Sequence, residues 1–334
     1  MNGFAKKTLF FRWISLVLCC FLILSSPISA DDSVGNSDVP EFIREEIQRA
    51  REESSALADS WYDIMSIGLS NGKEPTLDNT VLLESEKDSL FLIFDFANGS
   101  KAEYVLKIFV DYIESEFKID GETYEEYYFT ADATEGFAIE FFLPENKIDL
   151  NQSHTITVAM FKDPRTHRKP VSTERDFYSA DFTLTGASKQ SEQQTVLKHN
   201  WQAEFYEIPF SGIMLNRDME LKDDNEVYFP PDVLDAAPDE TVTLVYRASG
   251  YEDSSDILFL LLVDWKQTDI NGKPYAFTEN QQQRTNCGLI EFKAPQNPGE
   301  YEVIALMSGY PFELRNERNC ALNFASVRFT LVVE

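Results

Sequence analysis

The residues of this chain that could do chemistry are three histidines, a handful of cysteines and a large surplus of carboxylates. His154, His167 and His199 are the only histidines. They fall in or near turn-forming stretches and at no metal-ligand spacing, so each is expected to be an ordinary surface histidine. The chain contains no G-x-S-x-G elbow, no P-loop and no H-E-x-x-H, the short motifs that would announce hydrolysis, phosphate binding or zinc. Asp and Glu number 57, too many to single out the facing pair that glycoside hydrolysis needs at about 5–10 Å. Two aspartates do recur in one context. Asp111 stands in "KIFVDYIESEFKIDGETYEEYYF" and Asp264 in "LLLVDWKQTDINGKPYAF". A catalytic residue would not tend to be kept in both copies of a repeated scaffold, so both are read as structural residues at strand ends. No catalytic residue is assigned.

The acidic loops "LKDDNEVY" and "GYEDSSD" gather the oxygens that a hard cation prefers, but neither has EF-hand spacing. They are expected to be solvated turns, with no metal and no other cofactor. Aromatic residues make up 13% of the chain. Tyr124, Tyr127 and Tyr128 in "YEEYYF", with Trp265 and Tyr275, could form a carbohydrate-stacking platform. The competing expectation is that alternate aromatics simply fill a core. "NGS" at Asn98 and "NQS" at Asn151 are acceptors only where the source glycosylates.

The chain opens "MNGFAKKTLFFRWISLVLCCFLILSSPISADD". Lys6, Lys7 and Arg12 precede an apolar run over 13–24, and small residues follow. That is the pattern of a secretory signal peptide cleaved after Ala30. The apolar run is shorter than the roughly 20 residues a bilayer span needs, which disfavours an uncleaved anchor. Losing its three positive charges takes the formal net charge from −28 to −31. Such a surface would be repelled by nucleic acid and by anionic lipid. The expected product has no membrane span after cleavage, lies outside the cytoplasm, and meets an unknown protein or glycan partner.

These residues must be positioned by elements that the hydrophobic period reveals. "EFIREEIQRAREESSALADSWYDIM" has apolar residues at helical spacing behind Pro40, which predicts a helix over about 41–66. Beyond it the period is two. Short runs rich in Phe, Tyr, Ile and Val, separated by Gly, Pro, Asn and Asp, predict an antiparallel all-β protein. The order of runs then repeats. "SLFLIFDFANG" is answered by "TVTLVYRASG", "EYVLKIFVDY" by "DILFLLLVDW", "GFAIEFFLP" by "CGLIEFKAP", "HTITVAMFKDP" by "GEYEVIALMSGYP" and "DFYSADFTLTG" by "NFASVRFTLVV". Gly121 then aligns with Gly272, Ala159 with Ala305 and Phe182 with Phe329, at a near-constant spacing of about 150 residues, which marks a tandem duplication. "IDGE" and "INGK" supply left-handed turns for a hairpin in each copy. The expected organisation is a signal peptide at 1–30, a mobile segment and helix at 31–74, one β-sandwich at 75–186, a linker at 187–200 and a second sandwich at 201–334.

"FKAPQNPGEYEVIAL" resembles the corner before strand F of immunoglobulin-like and fibronectin-type sandwiches, where a Tyr bonds back to the turn; Tyr301 matches it and Thr155 stands at the equivalent place in the first copy. The resemblance implies two tandem immunoglobulin-like antiparallel sandwiches and is silent on activity. In such an order the last strands bring Cys287, just before one strand, and Cys320, just before the final one, to the same rim. A disulfide is therefore expected there, the alternative being two separate buried thiols. The functional expectation is a secreted, non-enzymatic interaction or structural protein of the extracellular or cell-envelope space. The alternative is a carbohydrate-binding protein using surface aromatics.

Overall fold

The computed structural model describes residues 40–55, 64–73, 79–97, 101–132, 136–165, 177–186, 204–206, 212–216, 233–250, 256–279, 285–309, 324–326 and 328–334. The expected signal peptide at 1–30 and the expected linker at 187–200 lie outside them. The described chain is almost all β, with one helix, α1 (Glu41–Ser55), ahead of two β-sandwiches. Helix α1 begins after Pro40, with Glu41 in its first turn, where a carboxylate complements the exposed N–H groups. Ile43 and Ile47, one turn apart, are buried against Phe91 and Ile93 on the outer face of the first sandwich.

The first sandwich comprises β1 (Ile64–Ser70), β2 (Thr80–Leu83), β3 (Leu90–Ala97), β4 (Ala102–Val110), β5 (Ile113–Glu114), β6 (Phe117–Ile119), β7 (Glu122–Tyr124), β8 (Tyr127–Ala131), β9 (Gly136–Phe141), β10 (His154–Lys162) and β11 (Phe177–Gly186). One sheet runs β1-β3-β9. The other runs β2-β11-β10-β4-β5, with β8 also on β4. This corrects two expectations. The helix does not reach 66, because Ile64–Ser70 pairs residue for residue with β3; ladder hydrogen bonds outweigh a thin helical stripe. The first sandwich accordingly begins before 75.

The second sandwich comprises β12 (Glu204–Tyr206), β13 (Gly212–Asn216), β14 (Val233–Ala236), β15 (Thr241–Ser249), β16 (Asp256–Val263), β17 (Lys266–Thr268), β18 (Ala276–Glu279), β19 (Thr285–Lys293), β20 (Gly299–Ser308), β21 (Phe324–Ala325) and β22 (Phe329–Val333). Its sheets run β12-β19-β15-β13 and β14-β22-β20-β16-β17, with β18 on β16 and β21 on β20. The parallel pair β2 with β11 recurs as β14 with β22. Every other described ladder is antiparallel. The duplication is therefore one of topology as well as sequence.

Register refines the alignment. Val110 faces Ile156 and Val263 faces Val303 across the equivalent ladders, and Phe182 and Phe329 face those same partners. Val158 opposes Ile108 as Ala305 opposes Leu261. Ala305 therefore corresponds to Val158, and Ala159 corresponds to Leu306. The sequence pairing of Ala159 with Ala305 is one residue out. In a strand that slip exchanges the two faces of the sheet.

Backbone geometry repeats as well. Asp111 and Tyr112 have φ of 52° and 65°, and Asp264 and Trp265 have 50° and 66°. Val110 pairs with Ile113 and Val263 with Lys266 around them. These are two-residue type I′ hairpin turns. Asp120-Gly121 and Asn271-Gly272 make a second such pair, with φ of 52° and 83°, then 50° and 73°. Bulky aromatic residues rarely adopt positive φ, at a cost on the order of 1–3 kcal/mol each. What offsets that cost is the burial of both rings.

Strands β4 and β16 are buried nearly end to end because their two faces serve two cores. Tyr104, Leu106, Ile108 and Val110 enter the core of the first sandwich. Ile257, Phe259, Leu261 and Val263 enter that of the second. The alternate residues, Val105 and Phe109 from one and Leu258, Leu260 and Leu262 from the other, share a third core with Tyr112, Phe161, Trp265, Tyr275, Phe277 and Leu306. The two sandwiches thus pack face to face on a common apolar seam.

Candidate functional site

The seam gathers polar side chains that their local sequence does not distinguish. At its centre are Glu114 and Gln267, which occupy equivalent positions two residues beyond the equivalent turn residues Tyr112 and Trp265. The Glu114 N–H donates to Gln267 Oε1 at 2.6 Å, and the Gln267 N–H donates to Glu114 Oε2 at 2.7 Å. Gln267 Nε2 also donates to the carbonyls of Tyr112 and Pro274 at 2.9 and 2.8 Å. The Lys107 ammonium, with no exposed side-chain surface, pairs with Glu114 Oε1. A lysine so deeply buried needs such a partner. This reciprocity is that of an isologous interface folded into one chain.

Arg328 closes another part of the seam. Its guanidinium donates to the carbonyl of Asp163 at 3.1 Å and lies 5.5 Å from the Trp265 ring centroid. It also meets the buried Glu302 carboxylate at 3.1 Å. Trp265 in turn packs on Phe161, ring centroids 4.7 Å apart. At the position equivalent to Arg328 the first sandwich has Asp181, since Thr157 opposes Asp181 where Ile304 is the counterpart of Thr157. Asp181 is 6% exposed. It accepts a hydrogen bond from Thr157, while its Oδ2 meets no hydrogen-bond partner. Burial pushes its pKa up to about 8.

His154 is buried, at 5% exposure, which corrects the expectation of a surface histidine. Its Nδ1 lies 2.7 Å from Asp111 Oδ2, and its Nε2 lies 2.9 Å from the Asp149 backbone nitrogen and 3.2 Å from the Asp149 carbonyl oxygen, which accepts from the imidazolium. Asp111 also accepts the Thr155 N–H at 2.9 Å. Burial works against the imidazolium, but the hydrogen bond and charge of Asp111, aided by Asp149, outweigh it and raise the His154 pKa. In the second sandwich Tyr301 holds the same corner, its hydroxyl donating to the Asn297 carbonyl at 2.7 Å. The residue that corresponds to Tyr301 is therefore His154, not Thr155: a histidine does in one copy what a tyrosine does in the other. Asp111 and His154 are a brace for this corner. The sequence offered a signal for it, a His heading a strand after "DLNQS", but its partner was hidden in a distant turn. His167 and His199 lie outside the described residues.

The five aromatics considered as a stacking platform divide. Trp265 and Tyr275 are 2% and 6% exposed and belong to the seam. They present no face to solvent, which corrects their place in the platform. Tyr128 is half-buried beside them, with Arg165 over its ring at 4.8 Å. Tyr124 and Tyr127 are half-buried against the first core, on the opposite side of β8 from Tyr128. They continue a ladder that the sequence reading did not include. Ring centroids lie 5.2 Å apart from Tyr124 to Tyr127, 6.1 Å from Tyr127 to Phe129 and 5.6 Å from Phe129 to Phe137.

Cys287 is buried within β19, opposite Arg247 and Glu204, rather than just ahead of the strand. Cys320 lies outside the described residues, as do Asn98 and the loop "LKDDNEVY". Asn151 is exposed, its side-chain amide held by Asp149 at 2.7 Å. Among the described residues no group of three or more His, Cys, Asp and Glu side chains is placed to hold a metal ion, and no helix is long and apolar enough to cross a membrane.

Fold and seam together define a class: a pair of β-sandwiches joined face to face by a pseudo-twofold interface. No protein-family model matches the chain, and no curated protein matches it. Among solved structures it is similar to a transglutaminase of red sea bream, at 11% identity and a TM-score of 0.22, over 86% of this chain and 34% of that one. It is also similar to a 1.5-MDa bacterial ice-binding adhesin, at 10% identity and a TM-score of 0.18, over 82% and 67% of the two chains. The chain spans about a third of the length of the transglutaminase. Neither likeness bears on what the chain does, and the architecture rests on its own topology.

Proposed function

We propose that this is a secreted, non-enzymatic interaction or structural protein of the extracellular or cell-envelope space, built from two immunoglobulin-like sandwiches. The observation that carries this reading is the use made of its converging polar side chains. Asp111 and His154 brace a strand corner. Lys107, Glu114 and Gln267 lock the seam, and Arg328 with Glu302 caps it. Each group is committed to backbone or to a fixed partner, which suits a rigid presenting scaffold. The secretory pattern of the first thirty residues and the strong negative charge support the location. Affinity capture with the full chain against a solubilised envelope fraction tests the reading. A specific protein or glycan retained at physiological salt supports it, and turnover of an ester, peptide or glycoside panel would replace it.

Carbohydrate binding stands as the second reading. A specific observation favours it: the half-buried rings of Tyr124, Tyr127, Phe129 and Phe137 form a continuous ladder at one side of the first sandwich.

A further inference from the structure

The duplication supplies an internal control for what this ladder is for. Tyr104 faces Phe129 and Leu106 faces Tyr127, where the second copy has Ile257 facing Thr278 and Phe259 facing Ala276. Phe94 faces Phe137 where Tyr246 faces Gly288. Positions occupied in one copy by Tyr127, Phe129 and Phe137 therefore carry Ala276, Thr278 and Gly288 in the other. The second sandwich closes this region internally: the Tyr246 ring fills the space a side chain on Gly288 would need, and it packs on Phe259 at 4.7 Å. The topology thus does not demand three large rings here. In the first sandwich these rings are half-buried, while Phe94, Phe96 and Tyr104 beneath them complete the core. Large apolar rings left partly in water, in a copy-specific row, are the mark of a surface that covers something else.

The polar rim narrows the occupant. Tyr124 Oη donates to Glu122 Oε2 at 2.8 Å. Asp120 lies close enough that its charge helps to raise the Tyr127 pKa, after burial itself. Glu125 is paired with Lys266 at 3.2 Å, whereas Asp120 and Glu122 are exposed. These carboxylates accept hydrogen bonds from hydroxyl groups and repel anions. Ring faces receive the C–H faces of a sugar. Resting on the carbohydrate-binding reading, we infer that the Tyr124–Tyr127–Phe129–Phe137 ladder is a binding platform for a neutral polysaccharide, with Glu122 and Asp120 as hydroxyl acceptors at its edge. The site is confined to the first sandwich.

Isothermal titration of the full chain with cellohexaose, xylohexaose, mannohexaose and chitohexaose tests this. At least one neutral hexaose is expected to bind. The Tyr124→Ala/Tyr127→Ala double variant should weaken that binding by about tenfold per ring removed, with its melting curve as the check on folding. Glu122→Gln keeps the rings and should weaken the same binding by a smaller factor. Failure of all four hexaoses to bind overturns the inference, as does undiminished binding by a folded double variant. Failure of all four hexaoses together with a protein captured from the envelope equally well by wild type and double variant would leave the broader proposal standing while removing this one.

Discussion

Glu114 and Gln267, equivalent residues of two duplicated sandwiches, each accept the other's backbone N–H, at 2.7 and 2.6 Å. Such reciprocity arises when two copies of one surface meet about a twofold axis, and here both copies lie in one chain. The seam between them carries Val105, Phe109 and Tyr112 on one side and Leu258, Leu260, Leu262 and Trp265 on the other. Neither sandwich keeps that face dry alone.

The first prediction concerns this lock. Gln267→Ala removes the three hydrogen bonds of its side chain at once: the Glu114 N–H loses its acceptor, and the Tyr112 and Pro274 carbonyls each lose a donor. A loss of about 2–4 kcal/mol is expected in denaturant unfolding. A variant within about 0.5 kcal/mol of wild type would show that the seam does not stabilise the pair.

A second prediction follows from Asp181. Its carboxyl has a folded pKa raised to about 8 by burial, well above its value in an unfolded chain. The neutral form is favoured by folding, so the protein is most stable where both states are protonated. Stability falls as pH rises from about 4 toward 8. Asp181→Asn should flatten that decline and be the more stable protein at pH 9, by on the order of 2–5 kcal/mol. Parallel curves for the two proteins from pH 5 to 9 would contradict this.

His154 shifts stability in the same sense. Its folded pKa is raised, so its stabilising contribution is complete below about 6.5 and disappears as pH rises through the folded value. His154→Tyr places in the first copy the residue that holds this corner in the second. The substitution should remove that part of the pH dependence while keeping the fold, as followed by thermal melts between pH 5 and 9. Retention of the wild-type pH profile would assign the effect elsewhere.

Gly186 ends β11 with its backbone pressed on Leu150, and an added Cβ would meet the Leu150 carbonyl oxygen, an unyielding backbone atom. Gly186→Ala is expected to cost about 2–4 kcal/mol. Gly121→Ala is its contrast: nothing lies within 4 Å, but φ is 83°, so strain of roughly 1 kcal/mol is the whole effect.

The pairing of Cys287 with Cys320 is a further expected outcome. Protein exported to an oxidising compartment and titrated in denaturant should show no reactive thiol. Two reactive thiols per chain would sink the bridge. Reduction should then lower the melting temperature, since closing a loop of this length contributes about 3–4 kcal/mol on the chain-entropy model.

Much of the architecture was legible from local chemistry. Period-two runs, Asp-Gly and Asn-Gly turns and the repeated Val-Asp-aromatic signature are short-range signals. They led to two β-sandwiches ahead of which Pro40 and Glu41 start a helix. The unbroken apolar runs of β4 and β16 already said that both faces of those strands would be covered. What they could not say is by what. The cover on one face is the other sandwich, a contact between residues 150 positions apart in origin that leaves no periodic trace. For the same reason Tyr112 and Trp265 read as caps on their own cores, and Trp265 equally well as part of a stacking platform. Only the fold shows them turned by positive φ into a shared seam. Asp111 was legible as a turn residue, but His154 became its partner only when β10 was laid against β4. The Ala159–Ala305 misalignment has the same origin: identity of residue type is local, whereas the face a residue occupies is decided by register. Composition and period therefore determined the class of fold, and long-range pairing decided which side chains meet.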